Sequence, residues 1–482
     1  MNASIPRLSG RSLALLYLFC ALVPLALALA ERVAAAAFWE YAAAGLGIVA
    51  LAGMSVQFVT SGRFEAVSGQ LGIDKIMGFH KIAAWWLLLG VLAHPLLYVL
   101  PTWAADPDLA RVRLEFYLTD PSYRSGVAAL GALVLLVLTS ALRDRLPLPY
   151  EAWRATHVVL ALVAVIGGLH HAIAVGRFSA EGMVAGFWWV LGAGIAAVMA
   201  TLYGWRWWHL HRHPWRLQAV TPRADRMWEL DIQPAPGTPP LPYHAGQFVW
   251  MTDRGRRFPL LDHPFSIADS PARKGLSLLI KEAGDYTSQI GQLPEGCTIG
   301  IDGPYGEFTL EAHDPAAVLL IGGGVGIAPL MGILRDMAAR GDRRPVRLAY
   351  AVGQPENFAC IDELRTIAEQ GGLDLKLWLL TEDGPTEPDM AQGRLTPERL
   401  RAMLAGLDPA QTKAMICGPG PMVVAVSDAL LDLGMPMANV VYERFDYAGG
   451  ARSRQDRART RAFVSVGAGL GVLVAGFAAL AG

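Results

Sequence analysis

His80 and His94 stand fourteen residues apart inside an apolar run that extends to about Leu100. At ~100° and ~1.5 Å per residue, that spacing falls about 40° short of four helical turns and covers roughly 21 Å. Both imidazoles therefore leave nearly the same helix face, one toward each side of a ~30 Å hydrocarbon layer. A second apolar helix repeats the arrangement with His157 and the pair His170/His171. One histidine in a membrane helix is explained by a hydrogen bond to a neighbouring helix. A matched pair on each of two helices is harder to explain that way, because ionisable groups at that depth are costly. Two haems, one above the other, each held by a histidine from either helix, account for the pattern. Tetrahedral zinc does not, since ligands so far apart along one helix cannot meet at a single ion. His80 then pairs with His157, and His94 with His170 or His171. Helical phase favours His171, because thirteen residues leave His170 about 140° short of four turns.

The elements that must carry these residues are long apolar runs. Six spans are predicted, at about 12–30, 41–59, 80–100, 124–142, 156–176 and 183–203. Arg7 and Arg11 precede the first, which is too long for the core of a signal peptide and is expected to be a retained helix. Basic residues cluster in three places: Arg63, Lys75 and Lys81; Arg143, Arg145 and Arg154; Arg206, Arg212 and Arg216. The positive-inside rule puts all three in the cytoplasm, so His80 and His157 form the inner pair. The loop 101–123, with Asp106, Asp108, Glu115 and Asp120, then faces outward. The tract Trp205–His213 reads as an interfacial anchor of Trp and basic residues rather than a metal site. Near the C-terminus, five arginines within 451–461 precede about twenty apolar residues, which predicts a seventh span leaving the cytoplasm.

Between these membrane segments the periodicity changes. From Trp215 short alternating strands such as Gln247–Met251 and Leu276–Ile280, broken by Pro and Gly, predict a small antiparallel barrel up to about residue 312. Ala317–Ile321 then runs into Gly322-Gly323-Gly324-Val325-Gly326-Ile327-Ala328-Pro329 and a helical Leu330–Arg340. Further strands at Val346–Val352, Asp374–Leu380 and Lys413–Cys417 complete an α/β nucleotide-binding layer. The 482 residues are 53% hydrophobic with a net charge of −1, which argues for a membrane protein and against a nucleic-acid partner. Cys20, Cys297, Cys360 and Cys417 form no C-x-x-C, which excludes a zinc ribbon, a c-type haem attachment and a four-Cys cluster. The expected fold class is multi-domain: an α-helical transmembrane bundle, six helices plus a C-terminal seventh, followed by an antiparallel barrel and an α/β domain.

Over roughly residues 12–447 the chain resembles the ferric reductase and NADPH oxidase superfamily. The resemblance is carried by His80-Lys81, Ala84-Trp85 and His94, and by the segment from Thr156-His157 to His170. The family's thirteen-residue spacing implies His170 as outer ligand, against the phase argument; His170 is preferred on that ground, with His171 kept as its rival. His263-Pro264-Phe265-Ser266 is similar to the family's flavin motif, with Phe265 against the isoalloxazine and Ser266 on its polar edge. Gly284-Asp285-Tyr286-Thr287 resembles its pyrophosphate turn, with Lys281 adding charge. Gly322–Pro329 is similar to the nicotinamide-site turn, and Cys417-Gly418-Pro419-Gly420-Pro421-Met422 to the second nucleotide loop, which places Cys417 beside the nicotinamide. Without the resemblance Cys417 reads as a small buried residue. Glu443-Arg444-Phe445 matches the family's ending, whose ring covers the flavin, although Tyr447 in the extra C-terminal segment is a rival.

The resemblance implies domains at 1–210 (bis-haem membrane domain), 211–313 (ferredoxin-reductase-type FAD barrel), 314–450 (NAD(P)-binding) and 451–482 (basic linker and last helix). It implies a multi-pass protein of the inner (plasma) membrane with its FAD and NAD(P) domains in the cytoplasm. Electrons are expected to pass from NADPH or NADH through FAD and two b-type haems to an acceptor outside. Dioxygen, giving superoxide, is the leading acceptor; a ferric chelate or a periplasmic partner protein are the alternatives. After Val352 the chain reads Gly353-Gln354-Pro355-Glu356, with no arginine for a 2′-phosphate, so NADPH is not preferred on this ground; Arg343 and Arg344 are the compensating candidates.

Overall fold

The computed structural model describes residues 10–31, 37–60, 73–310, 314–369, 372–384, 387–444 and 453–481. They form two compact units, Met1–Gly204 with Arg459–Gly482, and Trp205–Ala458.

The first unit is helical. Its elements are α1 (Gly10–Ala30), α2 (Phe38–Val56), α3 (Ile73–Ala105), α4 (Pro107–Thr119), α5 (Arg124–Ala141), α6 (Tyr150–Val175) and α7 (Gly182–Met199). A π-helical turn, Ala200–Trp205, joins α7 to α8 (Arg206–Arg212). The last helix of the chain, α13 (Arg454–Ala481), returns to this unit. Among the described residues, six helical stretches are long and apolar enough to cross a membrane, and a shorter apolar helix lies at Tyr17–Ala30. α2 is central: 78% of its apolar window is buried, against 11–28% for the others. Its run Ala42-Ala43-Ala44-Gly45 explains why. Small residues let neighbouring backbones approach where lipid offers no hydrophobic drive between helices. Gly45 receives the Phe477 ring of α13, which a Cβ would meet at 2.8 Å. The segment expected as an outer loop is mostly helix: α3 runs on to Ala105, α4 follows, and Pro121–Tyr123 is a 3₁₀ turn. Asp106 caps α4 by accepting from the N–H groups of Asp108 and Leu109, with Pro107 at the first helical position. Asp120 caps the 3₁₀ turn through Ser122, again with proline following.

In the second unit, β1 (Trp215–Ala224), β2 (Met227–Pro234), β3 (Phe248–Thr252), β4 (His263–Ser266), β5 (Leu276–Lys281) and β6 (Thr298–Tyr305) form an antiparallel sheet. Its order is β4-β3-β6-β1-β2-β5. An antiparallel bridge between Ile267 and Leu278 brings the two edges together, which makes the sheet a barrel. The second sheet has the order β10-β9-β8-β7-β11-β12, all parallel. Its strands are β7 (Ala317–Gly323), β8 (Val346–Val352), β9 (Leu375–Thr381), β10 (Met390–Gln392), β11 (Thr412–Gly418) and β12 (Val440–Arg444). The central β7 and β11 are buried along their whole length, as covering by helices requires. The helices include α9 (Ile327–Ala339), α10 (Ile361–Glu369), α11 (Pro397–Met403) and α12 (Gly420–Asp432). Chain order reverses between β7 and β11, which is where ligands bind in such sheets.

A buried ionic cluster ties barrel to sheet. Arg335 of α9 bonds Glu229 of β2 at 2.7 Å and Glu363 of α10 at 2.7 Å, and Ser277 of β5 also meets Glu229. Burial alone would raise the Glu229 carboxyl, but Arg335, Ser277 and Arg223 outweigh it and hold it below its ordinary value.

Arg206 departs from the interfacial reading. Trp205, Trp207 and Trp208 are exposed as expected, yet Arg206 is only 6% exposed. It lies 3.6 Å from Asp302 of β6, with its guanidinium over the Tyr305 ring. Helical phase is the reason: Arg206 and Leu210 are four residues apart and share the buried face of α8.

Candidate functional site

Four histidines of the bundle meet in two pairs. The ring centres of His80 (α3) and His157 (α6) are 6.4 Å apart, and those of His94 (α3) and His171 (α6) are 6.5 Å apart. Two imidazoles on opposite sides of one ion, each at a ~2.0–2.1 Å metal–nitrogen bond, have centres about 6.3 Å apart. Both separations suit an iron held between the rings. His94 contacts the Ala43 carbonyl through Nδ1 at 2.7 Å; a carbonyl only accepts, so Nδ1 carries the proton and Nε2 is free to ligate. His157 contacts Ser140 Oγ through Nδ1 at 3.1 Å, and that hydroxyl already donates to Leu136. Ser140 therefore accepts from His157, which again leaves Nε2 free. The Nδ1 atoms of His80 and His171 are buried and have no hydrogen-bond partner among the described residues. His94 and His171 lie in notches cut by glycine: a Cβ on Gly47 of α2 would meet the His94 ring at 2.8 Å, and one on Gly126 of α5 the His171 ring at 2.6 Å. His170 points elsewhere, exposed, with Nδ1 on Ser125 Oγ at 3.0 Å.

In the barrel, β4 pairs with β3, setting Ser266 opposite Phe248 and His263 opposite Met251. Tyr286 stacks on His263 with ring centres 3.7 Å apart, and Phe265 lies near-parallel at 6.3 Å from the same ring. The Tyr286 hydroxyl is buried without a partner among the described residues, and burial, then Asp253, pushes its phenol up. Flat ring faces and an unsatisfied buried hydroxyl are what an isoalloxazine or its chain would engage. The Gly284–Thr287 turn closes on itself: Thr287 Oγ1 accepts from the N–H groups of Ala283 and Gly284, and Asp285 accepts from Tyr286 N. Lys281 ends β5 with an exposed side chain.

The two glycine loops of the parallel sheet meet at the reversal of strand order. A Cβ on Gly326 would lie 2.0 Å from the Cys417 carbonyl, and one on Gly323 would meet Met422 and Pro419 within 3 Å. Only glycine permits that approach. Cys417 is fully buried, and burial, then the Glu443 carboxylate opposite it in β12, pushes its thiol well up. It stays a neutral thiol. Glu443 also comes near Gly306 at the end of β6, so β12 reaches the flavin strands. Phe445 and Tyr447, and Arg7 and Arg63, lie outside the described residues. Arg344 is committed to Asp342 through two guanidinium nitrogens at 3.0 Å or less, while Arg343 is exposed. Sequence reading passed over Tyr98, Tyr117 and Tyr123, which gather beside His94 and His171; the four-residue step from His94 to Tyr98 was the available signal.

Comparison with known proteins gives three domain matches. Residues 46–168 match the ferric reductase like transmembrane component, 217–309 an FAD-binding domain, and 320–428 the oxidoreductase NAD-binding domain. The propane 2-monooxygenase reductase component of Mycolicibacterium smegmatis is 30% identical over 244 residues, 48% of this chain and 66% of that protein. The namesake from Gordonia sp. is 31% identical over 191 residues, 38% of this chain and 54% of the relative. The chain thus spans about half to two thirds of these relatives. Among solved structures, the FAD/NAD-binding domain of a nitric oxide dioxygenase from Vibrio cholerae has a TM-score of 0.42 and 20% identity, covering 48% of this chain and 98% of that one. The chain therefore has the ferric reductase/NADPH oxidase-like architecture, a ferric-reductase-like transmembrane component joined to an FAD-binding domain and an oxidoreductase NAD-binding domain.

Proposed function

We propose that this protein moves electrons from NADPH or NADH in the cytoplasm, by way of FAD and two b-type haems, to dioxygen on the outer side of the inner membrane, giving superoxide. The observation that carries the reading is the pair of histidine pairs at 6.4 and 6.5 Å. His80 with His157 and His94 with His171 would hold the haems, each through Nε2. His263, Phe265, Ser266, Tyr286 and Thr287 would hold the flavin, and the loops 322–329 and 417–422 the nicotinamide nucleotide. These groups supply the two-electron to one-electron conversion that joins hydride donors to haem iron. The polypeptide's own work is positioning and exclusion of water: glycines bring the two nucleotide loops together, α2 seals the bundle's middle, and hydrogen bonds from His94 and His157 aim their rings. No side chain is required as general acid or base.

Visible spectra of detergent-purified protein, before and after anaerobic NADH or NADPH, test this directly. A Soret band with sharp reduced α and β bands, at two haems per chain, is expected, and the faster nucleotide identifies the preferred donor. Flavin without a Soret band would overturn the transmembrane reading and leave a flavin reductase on a membrane anchor. Superoxide from purified protein and nucleotide alone supports dioxygen. Strict dependence on an added ferric chelate, or on a periplasmic protein, would transfer the assignment to those acceptors.

A further inference from the structure

Five rings form a closed circuit at one end of the bundle. His94 meets Tyr98 at 5.5 Å, Tyr98 meets Tyr117 at 6.1 Å, and Tyr117 meets Tyr123 at 5.1 Å. Tyr123 meets His171 at 6.0 Å, and His171 returns to His94 at 6.5 Å. Phe116, half exposed, leans on Tyr117 and Tyr123 from outside. The tyrosines come from three elements: Tyr98 from α3, Tyr117 from α4 and Tyr123 from the 3₁₀ turn. All three are half-buried, and among the described residues none of their hydroxyls makes a hydrogen bond within the protein. Packing alone therefore holds the rings, and the capped α4 and its capped turn hold the packing. Arg113 ties α4 to the end of α3 through Thr102 at 2.8 Å.

We infer that Tyr98, Tyr117 and Tyr123 form a fixed aromatic screen over the outer histidine pair, which admits a small neutral acceptor such as dioxygen and holds bulky ferric chelates at a distance. The inference rests on the functional reading above. Electron tunnelling falls exponentially with distance, so a layer one ring deep suppresses transfer to a chelate that stays outside. Dioxygen can pass between rings and take one electron to become superoxide, with no proton or bond exchanged. The screen determines specificity; it takes no part in the electron transfer.

The test compares Tyr117→Ala and Tyr123→Ala with Tyr117→Phe and Tyr123→Phe in full-length protein. Haem reduction by NADH is first recorded anaerobically for each. The rates of Fe(III)–EDTA reduction and of superoxide formation are then measured on the same samples. Their ratio is independent of protein yield. The alanine variants should reduce haem as the parent does and raise the chelate-to-superoxide ratio severalfold, while the phenylalanine variants leave it unchanged. An unchanged ratio in the alanine variants, with haem fully reduced, would overturn the screen. A shift of equal size in the phenylalanine variants would also overturn it, because the hydroxyls would then contact the acceptor. A parent protein that binds no haem overturns the functional reading itself, and the screen with it.

Discussion

His170 and His171 differ by one position and by everything around them. Sequence offered two arguments that disagreed, phase for one and family spacing for the other. The structure sets His171 6.5 Å from His94 and turns His170 onto Ser125. If His171 is the ligand, His171→Leu should remove about half of the bound haem while His170→Leu removes little, measured as haem per chain after extraction. The reverse result would restore the thirteen-residue spacing. Arg335 and Glu229 were invisible in sequence, because two ordinary surface residues become a buried pair only when α9 meets β2. Removing one partner of such a pair typically costs about 3–5 kcal/mol, so Arg335→Met should lower the temperature of flavin release. The sign of the pH effect follows from Glu229, whose folded value is depressed. Its contribution is fully present above the unfolded carboxylate value of ~4.3 and is lost as pH falls through the lower folded value. Acid melts of the parent should therefore show a loss that Glu229→Gln lacks.

At the scale of elements, period and punctuation were enough for most of the chain. Strand β8 occupies the expected Val346–Val352, and the glycine turn does join a strand to a helix. Each of the six apolar spans before the barrel falls on a helix, although the expected ranges overrun the helix ends at 57–59, 142 and 176. What escaped was whatever depends on a neighbour. The segment 101–123 reads as a charged loop because its helix is short and buries little beyond Ala110, yet two aspartate caps, each followed by proline, were present as local start signals. Arg206 looks like every other interfacial arginine until the phase of α8 is compared with β6. The two nucleotide loops offer the sharpest test of an element-level claim. Gly326→Ala forces a methyl within 2.0 Å of the Cys417 carbonyl, so one loop must yield. A rise of roughly tenfold or more in KM for NADH, about 1.4 kcal/mol, is expected in ferricyanide reduction, with flavin content unchanged. A KM equal to that of the parent would mean the loops do not jointly hold the nucleotide.

For the whole molecule, composition alone divided membrane residues from soluble ones, and the two compact units follow that division. The last helix was legible as a span but its partners were not, since nothing in a row of Ala, Gly and Val names the surface it meets. In the bundle it buries Val474, Phe477 and Ala478, with Phe477 against Gly45 and Phe178. Phe477→Ala should lower the melting temperature of the detergent-solubilised protein. The cost should fall below the ~3–5 kcal/mol of the same change in a water-soluble core, because lipid or detergent rather than water replaces the lost contacts. An unchanged melting temperature would mean that α13 is only loosely attached to the bundle.

The glycine notches at Gly47 and Gly126 carry a genetic consequence. Every glycine codon lies one base from an alanine codon, and at these two positions the added methyl drives into an imidazole. A random-mutagenesis screen for null alleles should therefore recover these silent-looking glycines beside the histidines they shelter. If His94 and His171 hold a haem as proposed, such alleles should yield protein that is made and inserted yet lacks that haem's share of the Soret absorbance.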